Sequence, residues 1–192
     1  EAYPDAREIN FIFHAESLTS IDAAQAIDVL SQGVEAVPNS TRLLYARANL
    51  LERAGRFAAA ESDYRSVLEL TPGDAGALNA LGYALTNNTE RFSEAAELLE
   101  EAISKDPRNP AIIDSLGWVY FKLGKNRQAE VLLKEAYQQY PDPEVAAHLI
   151  ELLWSVGREI EARDLMTAQL KTSPNNTLLI DTAVRLAIPL PK

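Results

Sequence analysis

Five prolines recur along this chain at an almost constant interval, and this recurrence constrains the fold more than any other feature. The intervals are 34, 35, 34 and 33 residues, between Pro38, Pro72, Pro107, Pro141 and Pro174. Proline ends helices because it lacks an amide hydrogen and because its ring clashes with the preceding turn. A near-constant spacing of helix ends predicts a chain of repeated helical units that stack on one another.

The stretch from Asn109 to Pro141 shows the unit most clearly. An apolar stripe at helical spacing runs up to a break at Gly124, and a second stripe follows before Pro141. A tetratricopeptide repeat has a Leu-Gly pair, then a Tyr, an Ala, a large apolar residue and a Pro. These positions are filled by Leu116, Gly117, Tyr120, Ala129, Leu133 and Pro141. The stretch therefore resembles one tetratricopeptide repeat, and the rest of the chain resembles variations on it.

This resemblance implies an all-α fold, a right-handed solenoid of antiparallel helix pairs. We expect one solenoid domain over residues 1–192, with repeats at about 7–40, 41–74, 75–109, 110–142 and 143–176. A capping helix at 177–188 would cover the apolar face of the last repeat. Its apolar side is predicted to consist of Ile180, Ala183, Val184 and Ala187.

Several local features refine this prediction. Phe13 and His14 take the places of a Leu and a small residue in the first repeat, and Arg47 takes a Leu position in the second. We expect the Arg47 stem to be partly exposed. The extra residue of the third repeat should fall in the polar turn 86–91, where an insertion costs little. Asn109-Pro110 and Asp142-Pro143 have the sequence of helix N-termini, a capping side chain followed by proline.

Composition excludes several classes of function. With 18 basic and 28 acidic residues the net charge is -10, which argues against binding nucleic acid. The absence of cysteine excludes disulfides, a thiol nucleophile and cysteine-ligated metal. No run of 18 apolar residues occurs, so no membrane span is predicted in this chain.

Motifs of catalysis are also missing. The two histidines, His14 and His148, lie in different repeats and lack the spacing of zinc ligands. No glycine-rich phosphate loop and no local signature of a catalytic triad occurs. We therefore predict no catalytic residue, no metal site and no cofactor. An enzyme is the alternative that turnover by the purified chain alone would establish.

The tetratricopeptide resemblance implies a concave groove lined by the first helix of each repeat, a surface that binds proteins or peptides. Mapping the family's groove positions onto this sequence gives a predicted binding groove of ten residues: Tyr45, Asn49, Asn79, Tyr83, Asp114, Trp118, Phe121, His148, Glu151 and Trp154. Exposed aromatic rings would anchor a partner, and the polar groups would bind its backbone. The alternative is that Trp118 and Trp154 only pad neighbouring helices.

A closer resemblance covers roughly residues 78–162. The segments LNALGYAL, PAIIDSLGWVYFKLG and PDPEVAAHL resemble the C-terminal repeats of proteobacterial tetratricopeptide lipoproteins of the outer membrane. One member of that group is an adaptor that brings substrates, including peptidoglycan hydrolases, to a C-terminal processing protease. The resemblance implies a periplasmic adaptor, attached to the outer membrane through an N-terminal segment absent from this chain. An assembly or secretion scaffold of the envelope, for example in polysaccharide export, and a homodimer are the alternatives.

Overall fold

The computed structural model describes residues 6–189, and the ends of the predicted 1–192 domain lie outside this range. All regular structure in residues 6–189 is helical, as predicted. The eleven helices of this range are α1 Ala6–Leu18, α2 Ala23–Ala36, α3 Thr41–Arg53, α4 Phe57–Leu70, α5 Ala75–Asn88, α6 Phe92–Lys105, α7 Pro110–Lys122, α8 Asn126–Gln139, α9 Pro143–Ser155, α10 Glu159–Thr172 and α11 Thr177–Arg185.

The periodic prolines mark helix ends. Each one lies two residues beyond the last residue of a helix: Ala36 and Pro38, Leu70 and Pro72, Lys105 and Pro107, Gln139 and Pro141, Thr172 and Pro174. Within the best-conforming stretch, the break at Gly124 is the turn between α7 and α8. Its φ of 73° lies in the left-handed region, which glycine enters without steric cost. The five prolines in the sequence thus correspond to the ends of α2, α4, α6, α8 and α10.

Two predicted helix starts are confirmed at the level of single hydrogen bonds. The Asn109 side chain accepts a hydrogen bond from the Ala111 amide at 3.1 Å, and Pro110 begins α7. The Asp142 carboxylate accepts one from the Glu144 amide at 2.8 Å, and Pro143 begins α9. Each cap satisfies an amide that has no partner within its own helix.

The chain consists of two compact units, which we describe separately. Unit 1 extends to Glu90 and contains α1 to α5; unit 2 begins at Arg91 and contains α6 to α11. In unit 1, α1 packs on α2, α3 on α4, and each pair contacts the helix that follows it. In unit 2, α7 packs on α8 and α9 on α10, while α9 also contacts α7 and α11. The number of domains and the repeat boundaries stay predictions.

Close approach of α7 and α8 depends on small residues. Ala129 of α8 is fully buried, and so is Leu133 one turn later. A Cβ atom on Gly117 of α7 would lie only 2.9 Å from Leu133 Cγ and Cδ2, which is closer than carbon atoms approach in proteins. Glycine at position 117 therefore permits the spacing of this helix pair.

The predicted register of α1 is wrong. Phe13 is 72% exposed, and His14 is exposed as well. The inward stripe of α1 instead consists of Phe11, Ile12 and Ala15, which pack with α2 and α3. These three residues follow helical spacing, so α1 is rotated relative to the register that was expected from the family pattern.

The extra residue of the third repeat does not lie in a turn. Helix α5 has 14 residues, one more than α3 and α7, and continues to Asn88 through much of the expected turn 86–91. Thr86 is buried and its hydroxyl donates to the Gly82 carbonyl at 2.8 Å. The insertion therefore lengthens α5 by one residue, and the hydrogen bond satisfies the buried Thr86 hydroxyl.

The apolar face of α11 also differs from the prediction. Leu179 and Ala183 are buried, but Val184 is 71% exposed and Ala187 is exposed. Thr182 is buried between them, because α11 packs on α9 through the face that contains positions 179, 182 and 183. A buried threonine on this face could not be inferred from hydrophobicity alone.

Candidate protein-binding surfaces

Unit 1 contains an open concavity at two of the predicted groove residues, Tyr45 and Asn49. Its volume is about 410 Å³, and its lining comes from α1, α3, α4 and the start of α5: Ile12, Thr41, Arg42, Tyr45, Ala46, Asn49, Val67, Asp74 and Gly76. A second concavity of about 360 Å³ shares Ile12, Ala46 and Asn49 with the first and extends to Arg53. We call these two concavities the unit 1 pocket.

The unit 1 pocket has an apolar floor and fixed polar groups. Tyr64 is fully buried and contacts the lining residue Asn49: its hydroxyl lies 2.6 Å from Asn49 Oδ1 and 3.1 Å from Glu52 Oε2. The Tyr45 and Tyr64 rings pack edge to face, with centroids 5.7 Å apart. Burial and the nearby carboxylates raise the pKa of Tyr45, with Asp74 and then Glu52 as the charges. The Tyr45 phenol is a hydrogen-bond donor at neutral pH.

The other two predicted groove residues of unit 1 lie on α5. Both Asn79 and Tyr83 are half-buried. Asn79 Oδ1 is buried and has no hydrogen-bond partner among the described residues. The repeat pattern predicts these side chains on the inner stripe of α5, and their assignment to a groove stays a prediction.

In unit 2 the expected exposed aromatic anchor is absent at Trp118, whose exposure is only 5%. The His148 ring stacks on Trp118 with centroids 4.2 Å apart and planes at 17°. The Lys122 ammonium lies 3.9 Å from the centroid of the Trp118 ring. The Phe121 ring packs beside Trp118, with the two ring centroids 5.4 Å apart. The expectation of an exposed Trp118 is therefore wrong, because neighbouring side chains cover the ring.

Asp114 and the His148 ring of this stack form a buried polar pair. Their side chains are 7% and 9% exposed, and Asp114 Oδ2 lies 2.9 Å from His148 Nδ1. The second oxygen, Asp114 Oδ1, has no hydrogen-bond partner among the described residues. Both residues were predicted to line the groove; the structure brings them together and buries both.

Glu151 joins three helices of unit 2. One oxygen lies 3.6 Å from the Lys122 ammonium of α7, and the other accepts a hydrogen bond from Arg185 of α11 at 2.6 Å. The Glu151 side chain is 14% exposed. Trp154, one turn further along α9, is half-buried, and the Arg163 guanidinium lies 5.4 Å from its ring centroid.

The repeat pattern does not predict Lys122 and Arg185 at this site, although both contact Glu151. A usable signal existed, because Asp114 and His148 are 34 residues apart and so are Glu151 and Arg185. Residues separated by one repeat occupy neighbouring positions in a stacked array. Complementary groups at this separation are therefore candidates for contacts between adjacent repeats.

Neither a metal site nor a membrane span is found in residues 6–189. No three His, Asp or Glu side chains of this range cluster closely enough to hold a metal ion. None of the helices in the same range combines the length and hydropathy needed to cross a bilayer.

Sequence models of the tetratricopeptide repeat match this chain over residues 22–75, 45–110 and 89–151. The chain belongs to the tetratricopeptide repeat family. Members of this family are protein-interaction scaffolds, and no enzyme family is indicated. A crystal structure of a thermophilic tetratricopeptide protein from Thermus thermophilus superposes with a TM-score of 0.78. It is 26% identical, and the similarity covers 94% of this chain and 97% of that one.

Two curated relatives extend the comparison. A TPR repeat-containing protein of Pseudomonas aeruginosa is 42% identical over 77% of this chain and 25% of its own length. Cellulose synthase operon protein C of Pseudomonas fluorescens is 29% identical over 60% of this chain and 9% of its own length. The chain therefore spans a quarter or less of these relatives, and their overall activities do not transfer to it directly.

Proposed function

We propose that this tetratricopeptide scaffold is a periplasmic adaptor that brings substrate proteins to a C-terminal processing protease. The similarity of residues 78–162 to outer-membrane lipoprotein repeats supports this specific role. The observation that supports protein binding is the unit 1 pocket. It combines apolar lining residues with a polar side chain, Asn49, that is held by the buried Tyr64. Attachment to the outer membrane and turnover of peptidoglycan hydrolases belong to the same proposal.

The mechanism is proximity. A scaffold that binds the protease at one surface and a substrate at another raises the effective concentration of each near the other. In the unit 1 pocket, an apolar side chain of a partner would contact Ile12 and Ala46, while Asn49 and the Tyr45 phenol are placed to bind backbone groups. No residue of this chain takes part in the cleavage.

A scaffold for envelope assembly or polysaccharide export is the second candidate. The observation that favours it is the similarity to cellulose synthase operon protein C. The unit 1 pocket would serve equally well in this role with a different client. Self-association is a third candidate, supported by the exposed apolar side chains Ile160, Leu178 and Val184.

Capture from bacterial envelope extract, with the bound proteins identified by mass spectrometry, tests the adaptor role. The Ala46→Gln variant places a longer side chain in the unit 1 pocket, and Ala58→Gln makes the same change at an exposed position of α4. We expect wild type and Ala58→Gln to capture a processing protease or a wall hydrolase, and Ala46→Gln to lose one of them.

Other outcomes separate the candidates. Capture of polysaccharide-export proteins without protease or hydrolase would replace the adaptor role with the export scaffold. Equal capture by Ala46→Gln and Ala58→Gln would show that the partner binds elsewhere. A mass that rises with protein concentration and falls with Val184→Asp would establish self-association.

A further inference from the structure

The Lys122 ammonium of unit 2 occupies a site built of two aromatic rings and a carboxylate. Its Nζ lies 3.9 Å from the Trp118 ring centroid, 5.6 Å from the Phe121 centroid and 3.6 Å from Glu151 Oε1. Ring faces attract cations through their quadrupoles, and the attraction is strongest where water is excluded. We call the site formed by Trp118, Phe121 and Glu151 the ammonium seat.

Contacts that do not involve Lys122 hold the walls of the ammonium seat in place. His148 stacks on Trp118 and is itself held by Asp114 at 2.9 Å. Arg185 fixes the Glu151 carboxylate with a 2.6 Å hydrogen bond. The seat would therefore keep its geometry if Lys122 left, and a preorganised site binds without the cost of ordering its own groups.

Lys122 is able to leave. Its side chain is 29% exposed, so it borders solvent, and it lies in the last turn of α7. A cation released there stays near the C-terminal carbonyl groups of the helix, where the helix dipole favours positive charge. Displacement of Lys122 thus exchanges one favourable position for another.

We propose that the ammonium seat binds a lysine side chain of a partner protein, and that Lys122 occupies the seat until the partner lysine displaces it. This inference rests on the proposed function only in taking the partner to be a protein. Lysine matches the seat because its compact ammonium stands on a flexible stem, as Lys122 already shows. The net charge of -10 attracts basic segments of a partner to this chain.

Competition with Lys122 gives the proposal a measurable consequence. An internal side chain competes at high effective concentration, so its removal should strengthen binding of an external lysine. The probe is the tripeptide acetyl-Gly-Lys-Gly-amide. The control is an uncharged tripeptide in which norleucine replaces the lysine. The chain has two tryptophans, so a Trp154→Phe background leaves the Trp118 indole N–H as a single reporter in NMR spectra.

Lys122→Ala is compared with Lys125→Ala in that background. The control removes the same charge from a lysine that lies 4.6 Å from the Tyr120 ring centroid instead. We expect the lysine tripeptide to bind Lys122→Ala at least about fivefold more tightly than Lys125→Ala. The norleucine tripeptide should leave the Trp118 resonance unchanged. Glu151→Gln, added to Lys122→Ala, should lose the response to the lysine tripeptide.

Three results would overturn the proposal: no saturable shift in a folded Lys122→Ala protein, an equal response to norleucine, or equal affinity in the two lysine variants. Melting temperatures of all variants establish that they are folded. If Lys122→Ala does not fold, Lys122→Gln, which keeps part of the aliphatic stem, takes its place in the same comparisons. Capture through the unit 1 pocket is a separate measurement, so failure of the seat and failure of the adaptor role give different results.

Discussion

Asp114 Oδ2 and His148 Nδ1 lie 2.9 Å apart across α7 and α9, at a separation of 34 residues in the chain. The pair is buried, and the same imidazole stacks on Trp118. This contact therefore joins α7 to α9, which are the first helices of two successive helix pairs. It also positions the imidazole ring that stacks on Trp118. Because Asp114 Oδ1 has no hydrogen-bond partner among the described residues, the carboxyl group relies on the contact of Oδ2 with His148.

Replacement of His148 by Phe tests this dependence. The phenyl ring retains an aromatic surface against Trp118 but leaves the buried Asp114 without its hydrogen bond. We expect the free energy of unfolding to fall by about 1–3 kcal/mol, the cost of a buried polar group left unsatisfied. Urea denaturation followed by circular dichroism measures it.

A second change in the same background checks the cause. Asp114→Leu removes the stranded carboxyl group, so the double variant should be more stable than His148→Phe alone. If both variants have the same stability, the loss comes from packing of the ring and not from the hydrogen bond.

The contact of α7 with α8 predicts the effect of a larger side chain. Ala129 is fully buried, so Ala129→Leu forces extra carbon atoms into a filled space. We expect a loss of about 1–3 kcal/mol, visible as a lower melting temperature. Ala58→Leu adds the same atoms at an exposed position of α4 and should leave the melting temperature nearly unchanged. Equal melting temperatures for the two variants would contradict the close packing.

Arg47 stands in a position where the family pattern has Leu, and it forms two 2.7 Å hydrogen bonds with the buried Asp63. The predicted partial exposure of its stem is confirmed, with the side chain 21% exposed, but its partner was not foreseen. Arg47→Leu restores the common residue and yet leaves Asp63 buried without its cation. We expect a loss of about 3 kcal/mol in urea denaturation, since breaking a buried pair costs more than the pair contributes.

Arg65→Leu is the matched control for that substitution. Its pair with Glu61 lies on the surface of α4, where the arginine side chain is 41% exposed. Exposed pairs of this kind contribute less than about 1 kcal/mol. A double variant, Arg47→Leu with Asp63→Ala, should recover most of the lost stability. A single Arg47→Leu variant as stable as wild type would show that Asp63 tolerates burial alone.

The helix ends were predictable because they depend on local chemistry. Proline and the capping side chains Asn109 and Asp142 act on the backbone within a few residues, so their positions in the sequence locate the turns. The family pattern also predicted which helices pair, because it specifies the positions of the small residues, such as Ala129, at the contact between paired helices.

The state of the binding surfaces was not predictable in the same way. Position on the inner stripe of α7 gives the direction of Trp118 but not its exposure, which depends on Lys122 and His148. Those contacts join residues on different turns and helices, and their side-chain torsions are not determined by the repeat pattern. The unit 1 pocket likewise depends on the rotation of α1 about its axis. The repeat pattern predicts Phe13 on the inner face, whereas Ile12 lines the pocket.

Tyr120 predicts how stability depends on pH. Burial, and then its 2.9 Å hydrogen bond to Glu100, raise the pKa of the Tyr120 phenol from 10.0 to about 12. A group with a raised pKa contributes stability that is fully present below the unfolded value of 10.0 and is lost as pH rises through about 12. Tyr120→Phe cannot ionise, so its free energy of unfolding should fall less than that of wild type across this interval.

Urea denaturation below pH 10.0 and again within the interval measures the difference. Tyr140→Phe, a change at a tyrosine that is 57% exposed, is the control and should follow wild type. Parallel decline of wild type and Tyr120→Phe would show that neither burial nor the hydrogen bond to Glu100 raises the pKa of this phenol in solution.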